Sequence, residues 1–106
     1  MVRIFLFVVV MFSSANLSAK EVTFATVDNA SIQADLVLRG SEGVILAHGA
    51  AFDKDSWGNI QTRLIDKDFT VLALNFRGYG QSTLGDKPGA LYEDILAAVQ
   101  LLKEQG

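Results

Sequence analysis

In the first part of the chain that follows residue 19, hydrophobic positions alternate with polar ones. Residues 21–27 and 31–38 both follow this pattern, which predicts two β-strands that each bury one face. Asp28 and Asn29 lie between them, and both residue types favour tight turns and tolerate left-handed backbone. Two such strands joined by a short turn predict an antiparallel hairpin. The apolar positions of this hairpin are Val22, Phe24, Ile32, Ala34, Leu36 and Leu38.

Two further segments are short and continuously apolar. Residues 43–47 and 69–74 show no alternation, which is typical of strands covered on both faces in a parallel sheet. A glycine-containing turn follows each of them: His48-Gly49-Ala50 after the first, and Arg77-Gly78-Tyr79-Gly80 after the second. Because function in parallel sheets gathers at the carboxyl ends of the strands, these two turns form the candidate site.

Apolar residues recur at three- and four-residue spacing in two segments, which predicts two helices with one face packed inward. Ser56 is the expected cap of the first helix. Asp53 and Asp55 are interpreted as complementing its dipole rather than as a catalytic pair. Pro88 lies at the entry to the second helix and Lys103 near its end. The predicted inward positions are Trp57, Ile60, Leu64 and Ile65, followed by Leu91, Ile95, Val99 and Leu102. The pattern as a whole predicts an α/β fold.

The N-terminus has the outline of a secretory leader. Arg3 supplies a positive start, and residues 4–12 form an unbroken apolar run of nine residues. Small residues then offer cleavage after Ala15 or after Ala19. We therefore expect residues 1–19 to be a signal peptide and the mature chain to be exported to a periplasm or secreted. The alternative is a buried first helix or strand. A transmembrane anchor is less expected, because a membrane span needs about 20 apolar residues.

Composition narrows the class of protein. Hydrophobic residues make up 50% of the 106 residues and charged residues 20%, which is typical of one globular domain. The net charge of −3, without a basic cluster, argues against a nucleic-acid partner. The sequence has no cysteine, so disulfides and thiol chemistry are excluded. A single histidine leaves no plausible metal cluster, and no motif calls for a cofactor.

The two glycine turns and the hairpin together resemble the α/β-hydrolase family. In that family an H-G-x segment follows the third strand and a D-x-R-G-x-G-x-S segment follows the fourth. Here the resemblance covers residues 22–105, and Asn75 stands where the family usually has Asp. It implies a strand order of 1-2-4-3-5, with the fifth strand and the catalytic nucleophile beyond the present chain. The fold expected for residues 20–106 is therefore an incomplete α/β-hydrolase sheet: a hairpin, two parallel strands and two helices.

The resemblance also implies roles for the two turns. His48, Gly49, Ala50 and Ala51 correspond to the oxyanion-hole loop, in which the backbone N–H of Ala50 or Ala51 is the donor. The family role of His48 is to shape this loop by hydrogen bonding rather than to act as the base. The second turn is structural, and we expect its arginine to pair with an acidic group. Its residues are Asn75, Arg77, Gly78 and Gly80.

A complete catalytic triad is missing from the sequence. There is no G-x-S-x-G, and the nearest serine, Ser82, leads into a turn-rich loop instead of a helix. Thr83 occupies the position where a dinucleotide-binding fingerprint would need glycine. We therefore expect the N-terminal part of an exported serine hydrolase that acts on a small-molecule ester or amide, with no catalytic residue in this chain. The alternative is a non-catalytic exported binding or assembly module, and self-association through an open strand edge is expected.

Overall fold

The computed structural model describes residues 19–49 and 52–105. Within them, four strands form one mixed sheet in the order β1-β2-β4-β3. The pairs β1–β2 and β2–β4 are antiparallel, and β3–β4 is parallel. This arrangement confirms the predicted hairpin and the parallel pair, and it matches the first four strands of the expected order. The strands are β1 (Lys20–Ala25), β2 (Ser31–Val37), β3 (Gly43–Ala47) and β4 (Thr70–Leu74).

The hairpin turn forms where the sequence predicts it. Asn29 adopts a left-handed backbone with φ of 69°, and the Thr26 N–H donates to the Ala30 carbonyl at 2.9 Å. On β2, Ile32 and its alternate neighbours are buried, as expected. Leu38 is an exception, because it lies one residue beyond the end of β2 and is 49% exposed.

Three helical segments connect and cover the strands: a short 3₁₀ helix (Lys54–Trp57), α1 (Asn59–Asp66) and α2 (Leu91–Glu104). The prediction that Ser56 caps the first helix is wrong. Asp53 caps the 3₁₀ helix, and its carboxylate accepts the Asp55 N–H at 3.0 Å. The Ser56 hydroxyl instead accepts the Asp53 N–H at 3.0 Å. This turn ends at Gly58, whose φ of 49° breaks the helix before α1 begins.

The two α-helices cover opposite faces of the sheet. Trp57 and Leu64 pack against Val71 and Ala73 of β4, whereas α2 packs against the other face, where Leu72 lies. On α2 the residues at that face include Ile95, Ala98, Leu101 and Leu102. β4 is consequently buried along its whole length, as its apolar run predicts.

Two predicted inward positions lie at the surface instead. Ile60 is 49% exposed and Leu91 is 43% exposed, and each belongs to the first turn of its helix. No helix in the part of the chain that the structure describes is long and apolar enough to cross a membrane. The expected signal peptide, residues 1–19, lies outside the described residues except for Ala19.

Candidate functional site

The candidate site lies at the carboxyl ends of the two parallel strands. Ala47 and Leu74 are partners in the register of β3 and β4. His48 and Asn75, the next residue on each strand, are therefore neighbours at one edge of the sheet, and both are buried. The structure thus brings together the beginnings of the two glycine turns that the sequence singles out.

His48 is held in one orientation because both of its ring nitrogens take part in hydrogen bonds. Its Nε2 accepts the Phe76 N–H at 3.0 Å. A ring nitrogen that accepts carries no proton, so Nδ1 is the protonated one and donates to the Gly49 carbonyl at 2.7 Å. The ring also makes edge contacts with Phe76 and Tyr79, with centroid distances of 5.3 and 4.9 Å. The imidazole therefore ties the two strand ends together, and its basic nitrogen is already occupied.

The loop after His48 is closed by a second hydrogen bond to the same carbonyl. The Phe52 N–H donates to the Gly49 carbonyl at 3.1 Å, so that carbonyl accepts from both a side chain and the backbone. Ala50 and Ala51, the predicted oxyanion donors, lie outside the described residues. Their role stays a prediction. The residues on either side of them, Gly49 and Phe52, are held by the hydrogen bond between them.

Asn75 joins the end of β4 to two other parts of the molecule. Its Oδ1 accepts the Lys54 N–H at 2.7 Å, and its Nδ2 donates to Gln33 Oε1 at 2.8 Å. The Asn75 backbone N–H also donates to the Gln33 carbonyl at 2.9 Å. Asn75 stands where the α/β-hydrolase family usually has Asp, and here both the oxygen and the NH₂ of its side chain form hydrogen bonds.

Gln33 belongs to the site although the sequence does not single it out. Its Oε1 accepts from Asn75 and, at 3.2 Å, from the Gln81 N–H, and its Nε2 donates to Glu21 at 2.7 Å. The alternating pattern of β2 puts Gln33 on the face opposite Ile32, which suggests a solvated side chain. Instead it is 9% exposed, because the turn after β4 folds over it.

Lys54 adds a charged contact beside this amide pair. Its Nζ lies 3.0 Å from Asp35 and 3.4 Å from Asp55, and the side chain is mostly buried. Burial lowers the pKa of Lys54, but the hydrogen bond and charge of Asp35, helped by Asp55, outweigh burial and leave the pKa raised. The ammonium therefore stays charged and paired, and it is not available as a nucleophile.

Arg77, in the second turn, is fully buried between two carboxylates. The guanidinium binds Asp94 through Nε at 3.0 Å and Nη2 at 2.8 Å, and Asp28 through Nη1 at 2.7 Å and Nη2 at 2.9 Å. Nη1 also donates to the carbonyls of Lys87 at 2.6 Å and Leu84 at 3.2 Å. All five N–H groups have acceptors, so the expected acidic partner of the arginine is in fact a pair of acidic residues.

The electrostatics of this cluster favour its charged form. Hydrogen bonds from Arg77 and then Thr26 hold the pKa of Asp28 well below its usual range, although burial opposes them. The hydrogen bonds to Asp28 and Asp94 in turn raise the pKa of Arg77 further above its ordinary value. Asp94, in the first turn of α2, is 0% exposed and serves as a fixed partner of Arg77.

The glycines of the second turn are needed for its shape. Gly78 and Gly80 have φ values of 82° and 55°, in the left-handed region that favours glycine. A Cβ on Gly80 would also collide with the amide of Asn75. This turn is therefore packed directly against the amide pair, which explains why two glycines occur so close together.

Ser82 is a structural residue in this arrangement. Its hydroxyl accepts the Gln33 N–H at 2.9 Å and donates to the Asn75 carbonyl at 2.7 Å, and the residue is 6% exposed. It lies in a loop, with α2 beginning only at Leu91. A buried hydroxyl committed to two backbone groups fits the loop role predicted for Ser82.

Comparison with known proteins identifies the fold. No protein-family model and no curated protein matches this sequence. An esterase from Pyrococcus furiosus matches with 25% identity and a TM-score of 0.68, over 88% of this chain and 38% of its own. An epoxide hydrolase from an endophytic Streptomyces matches with 26% identity and a TM-score of 0.68, over 81% of this chain and 27% of its own. An esterase from Exiguobacterium antarcticum, at 22% identity and a TM-score of 0.69, covers 79% of this chain and 32% of its own.

These neighbours share one class of fold. The chain has a partial α/β-hydrolase fold, comprising a mixed four-stranded sheet with helices on both faces. It spans less than two-fifths of the length of the solved structures that it matches. The expected fold class is thereby confirmed.

Proposed function

We propose that this chain is the N-terminal part of an exported α/β serine hydrolase that cleaves a small-molecule ester or amide. In this proposal it supplies the oxyanion-hole loop, and the nucleophile, acid and base come from elsewhere in the whole enzyme. The observation that carries the proposal is the double hydrogen bonding of the Gly49 carbonyl by His48 and Phe52. The hydrolase-like fold of the solved neighbours supports the reaction class.

The chemical argument follows from the geometry of a peptide unit. A trans peptide is planar, so its N–H points opposite to its carbonyl. The Gly49 carbonyl is turned towards His48 and Phe52, which fixes the described start of this loop, and we propose that the backbone N–H of Ala50 or Ala51 is the oxyanion donor. A backbone donor held in this way before the reaction stabilises the developing oxyanion, and such a donor contributes about 2.7–4 kcal/mol.

The experiment that tests the proposal is an activity assay on the complete reading frame that contains this chain. We expect its product to hydrolyse p-nitrophenyl esters and to carry a G-x-S-x-G segment, followed by an acidic residue and a histidine, after residue 106. His48→Ala should lower kcat by up to about 100-fold with a smaller change in KM, since it acts only on the oxyanion donor. A product without esterase or amidase activity would contradict the proposal.

The chain by itself is predicted to be inactive. Its single histidine uses Nε2 as an acceptor for Phe76, and the Ser82 hydroxyl is committed to two backbone groups, so neither of them is free to act in a nucleophile–base pair. We expect no turnover of a p-nitrophenyl ester above that of buffer. Turnover that survives His48→Ala and disappears in Ser82→Ala would show that Ser82 is a nucleophile.

Export is predicted from the apolar run behind Arg3. In a bacterial host we expect the chain to leave the cytoplasm and to lose its leader after Ala15 or Ala19. N-terminal sequencing of the exported product gives the cleavage site, and a variant with Leu6→Arg and Val9→Arg, which interrupts the apolar run, serves as the control. An intact Met1 on the cytosolic product of the unaltered chain would contradict this prediction.

A further inference from the structure

The loop that begins at the His-Gly pair is attached at both ends to two consecutive residues. At its start, His48 accepts the Phe76 N–H at 3.0 Å, and at its end the Lys54 N–H donates to Asn75 Oδ1 at 2.7 Å. We infer that Asn75, oriented by Gln33, is a positioning residue that holds Lys54, shortly after the oxyanion-hole loop, at the end of β4 and thereby supports that loop. The inference rests on the proposed function for the meaning of that loop, and on hydrogen bonds within the described residues for its mechanism.

The orientation of both amides follows from backbone groups that cannot change their role. The Lys54 N–H can only donate, so the oxygen of Asn75 must face it and the Asn75 NH₂ must face Gln33. The Gln81 N–H independently requires the oxygen of Gln33 on its side, at 3.2 Å. Glu21, which accepts at 2.7 Å, requires the NH₂ of Gln33 on the other side. Every donor in this chain of contacts therefore faces an acceptor.

This pairing explains why an amide, rather than the family's usual carboxylate, occupies position 75. A carboxylate there would still accept from Lys54, but its second oxygen would face Gln33 Oε1 without a proton between them. Turning the Gln33 amide over would not help, because its NH₂ would then meet the Gln81 N–H and its oxygen would meet Glu21. The amide at position 75 and the glutamine at position 33 are therefore matched to each other.

The matched pair predicts an acid-rescued variant. In Asn75→Asp we expect the protection of the Lys54 amide against hydrogen exchange to fall about five- to tenfold at pH 7, since a hydrogen bond loses its fixed acceptor. As the pH falls towards 4, the new carboxyl takes up a proton and donates to Gln33 as the amide does, so protection should return towards that of the unaltered chain. Protection factors of the 106-residue chain and the variant are compared at each pH by NMR.

Several charged or titratable groups surround position 75 and require a matched control. They are Glu21 on β1, Asp35 on β2, His48 directly after β3, and Asp53, Lys54 and Asp55 in the segment before α1. Lys54→Ala removes the ion pair with Asp35 but keeps the backbone N–H that Asn75 accepts. We expect the residue 54 amide of this variant to stay protected at every pH. Loss of protection there would assign the effect to the ion pair and overturn the inference.

The remaining outcomes decide the inference and separate it from the proposed function. Protected amides of Val71 and Leu72 establish that a variant is folded. If Asn75→Asp does not fold, Gln33→Met, which removes the partner of the Asn75 NH₂ together with the side-chain contacts to Gln81 and Glu21, should lower protection at Lys54 in the same direction. Unchanged protection at Lys54, or a loss that acid does not reverse, would overturn the inference.

The whole enzyme gives an independent readout. There we expect Asn75→Asp to lower kcat more than it changes KM, with partial recovery in acid relative to the unaltered enzyme. A kcat that does not change while Lys54 protection falls would mean that Asn75 does not position the donor, and would overturn the inference. If protection responds as expected but no product hydrolyses esters or amides, the proposed function fails while the role of Asn75 in holding the loop stands.

Discussion

Replacing Arg77 with Met is expected to lower the free energy of unfolding by about 3–5 kcal/mol, the usual cost of removing one partner from a buried ion pair. The side chain is 0% exposed and lies between Asp28 and Asp94, which have 5% and 0% exposed side chains. Methionine fills much of the same volume but removes the guanidinium, so Asp28 keeps only Thr26 and the Lys87 N–H as donors and Asp94 keeps the backbone N–H of residue 77. Because a domain of this size has about 5–15 kcal/mol of stability in total, the loss should be visible as a large shift of the urea midpoint.

An exposed arginine provides the matched control. Arg39 pairs with Asp68 at 3.0 Å, but their side chains are 34% and 75% exposed. Arg39→Met should therefore cost no more than about 1 kcal/mol. Urea denaturation of both variants beside the unaltered chain makes the comparison. A difference between the variants of less than about 1 kcal/mol would contradict a special role for the buried cluster.

The same pair of variants gives a prediction in acid. The pKa of Asp28 is lower in the folded protein than the ordinary value of 3.8, so its contribution to stability is complete above that value and is lost as the pH falls below it. In Arg77→Met the carboxyl of Asp28 would lose the hydrogen bond that lowers its pKa most and keep those from Thr26 and Lys87, so its pKa would lie closer to the ordinary value. The stability gap between the unaltered chain and Arg77→Met should therefore narrow in acid. The difference in the free energy of unfolding between the unaltered chain and Arg39→Met should stay nearly constant.

Residues 20–106, produced alone, are expected to self-associate. In the described sheet β3 pairs only with β4, so its outer edge presents free backbone groups. β3 itself carries no charged residue, and its Ile45 lines a groove of about 670 Å³ together with Val99, Leu102 and the cationic Arg39 and Lys103. Size-exclusion chromatography with light scattering should find dimers or larger species that dissociate on dilution.

Two lysine substitutions test which edge is responsible. Ile45→Lys places a charge in the groove beside β3 and should weaken association by about tenfold or more, equivalent to about 1.4 kcal/mol. Thr23→Lys places the same charge at an exposed position of β1, the other edge of the sheet, and should leave association nearly unchanged. Circular dichroism establishes that both variants are folded. A monomer with a sharp unfolding transition would contradict the prediction and favour a self-sufficient binding module.

Most of the fold could be predicted from the sequence because its strands have simple patterns. The alternation in β1 and β2 indicates one buried face, and the apolar run of β4 indicates two. Such patterns can be read from sequence because burial depends mainly on side-chain polarity. The caps were less predictable. Ser56 and Asp53 are both good capping residues. Only the tertiary position of the loop decides that Asp53 is the cap and that the Ser56 hydroxyl accepts the Asp53 N–H in return.

The polar contacts of the site were the least predictable part. Gln33 and Asn75 are 42 residues apart, and Asp28 and Arg77 are 49 apart, so no local pattern connects them. A glutamine on the alternate face of a strand is indistinguishable in sequence from one that faces solvent. The sequence could indicate that Arg77 needs an acidic partner, but not that two residues from opposite ends of the chain would meet there.

The double attachment of the segment between His48 and Lys54 has a consequence for how this fold can change. His48 is hydrogen-bonded to Phe76 and Lys54 to Asn75, so both ends of the segment are attached to the end of β4. Extra residues inserted between Phe52 and Asp53 would leave these attachments and the hydrogen bond from Phe52 to Gly49 in place, at a closure cost that grows only slowly, by about 0.6 kcal/mol for each doubling of length. New side chains could thus be brought over the end of the sheet without rebuilding the strands beneath them.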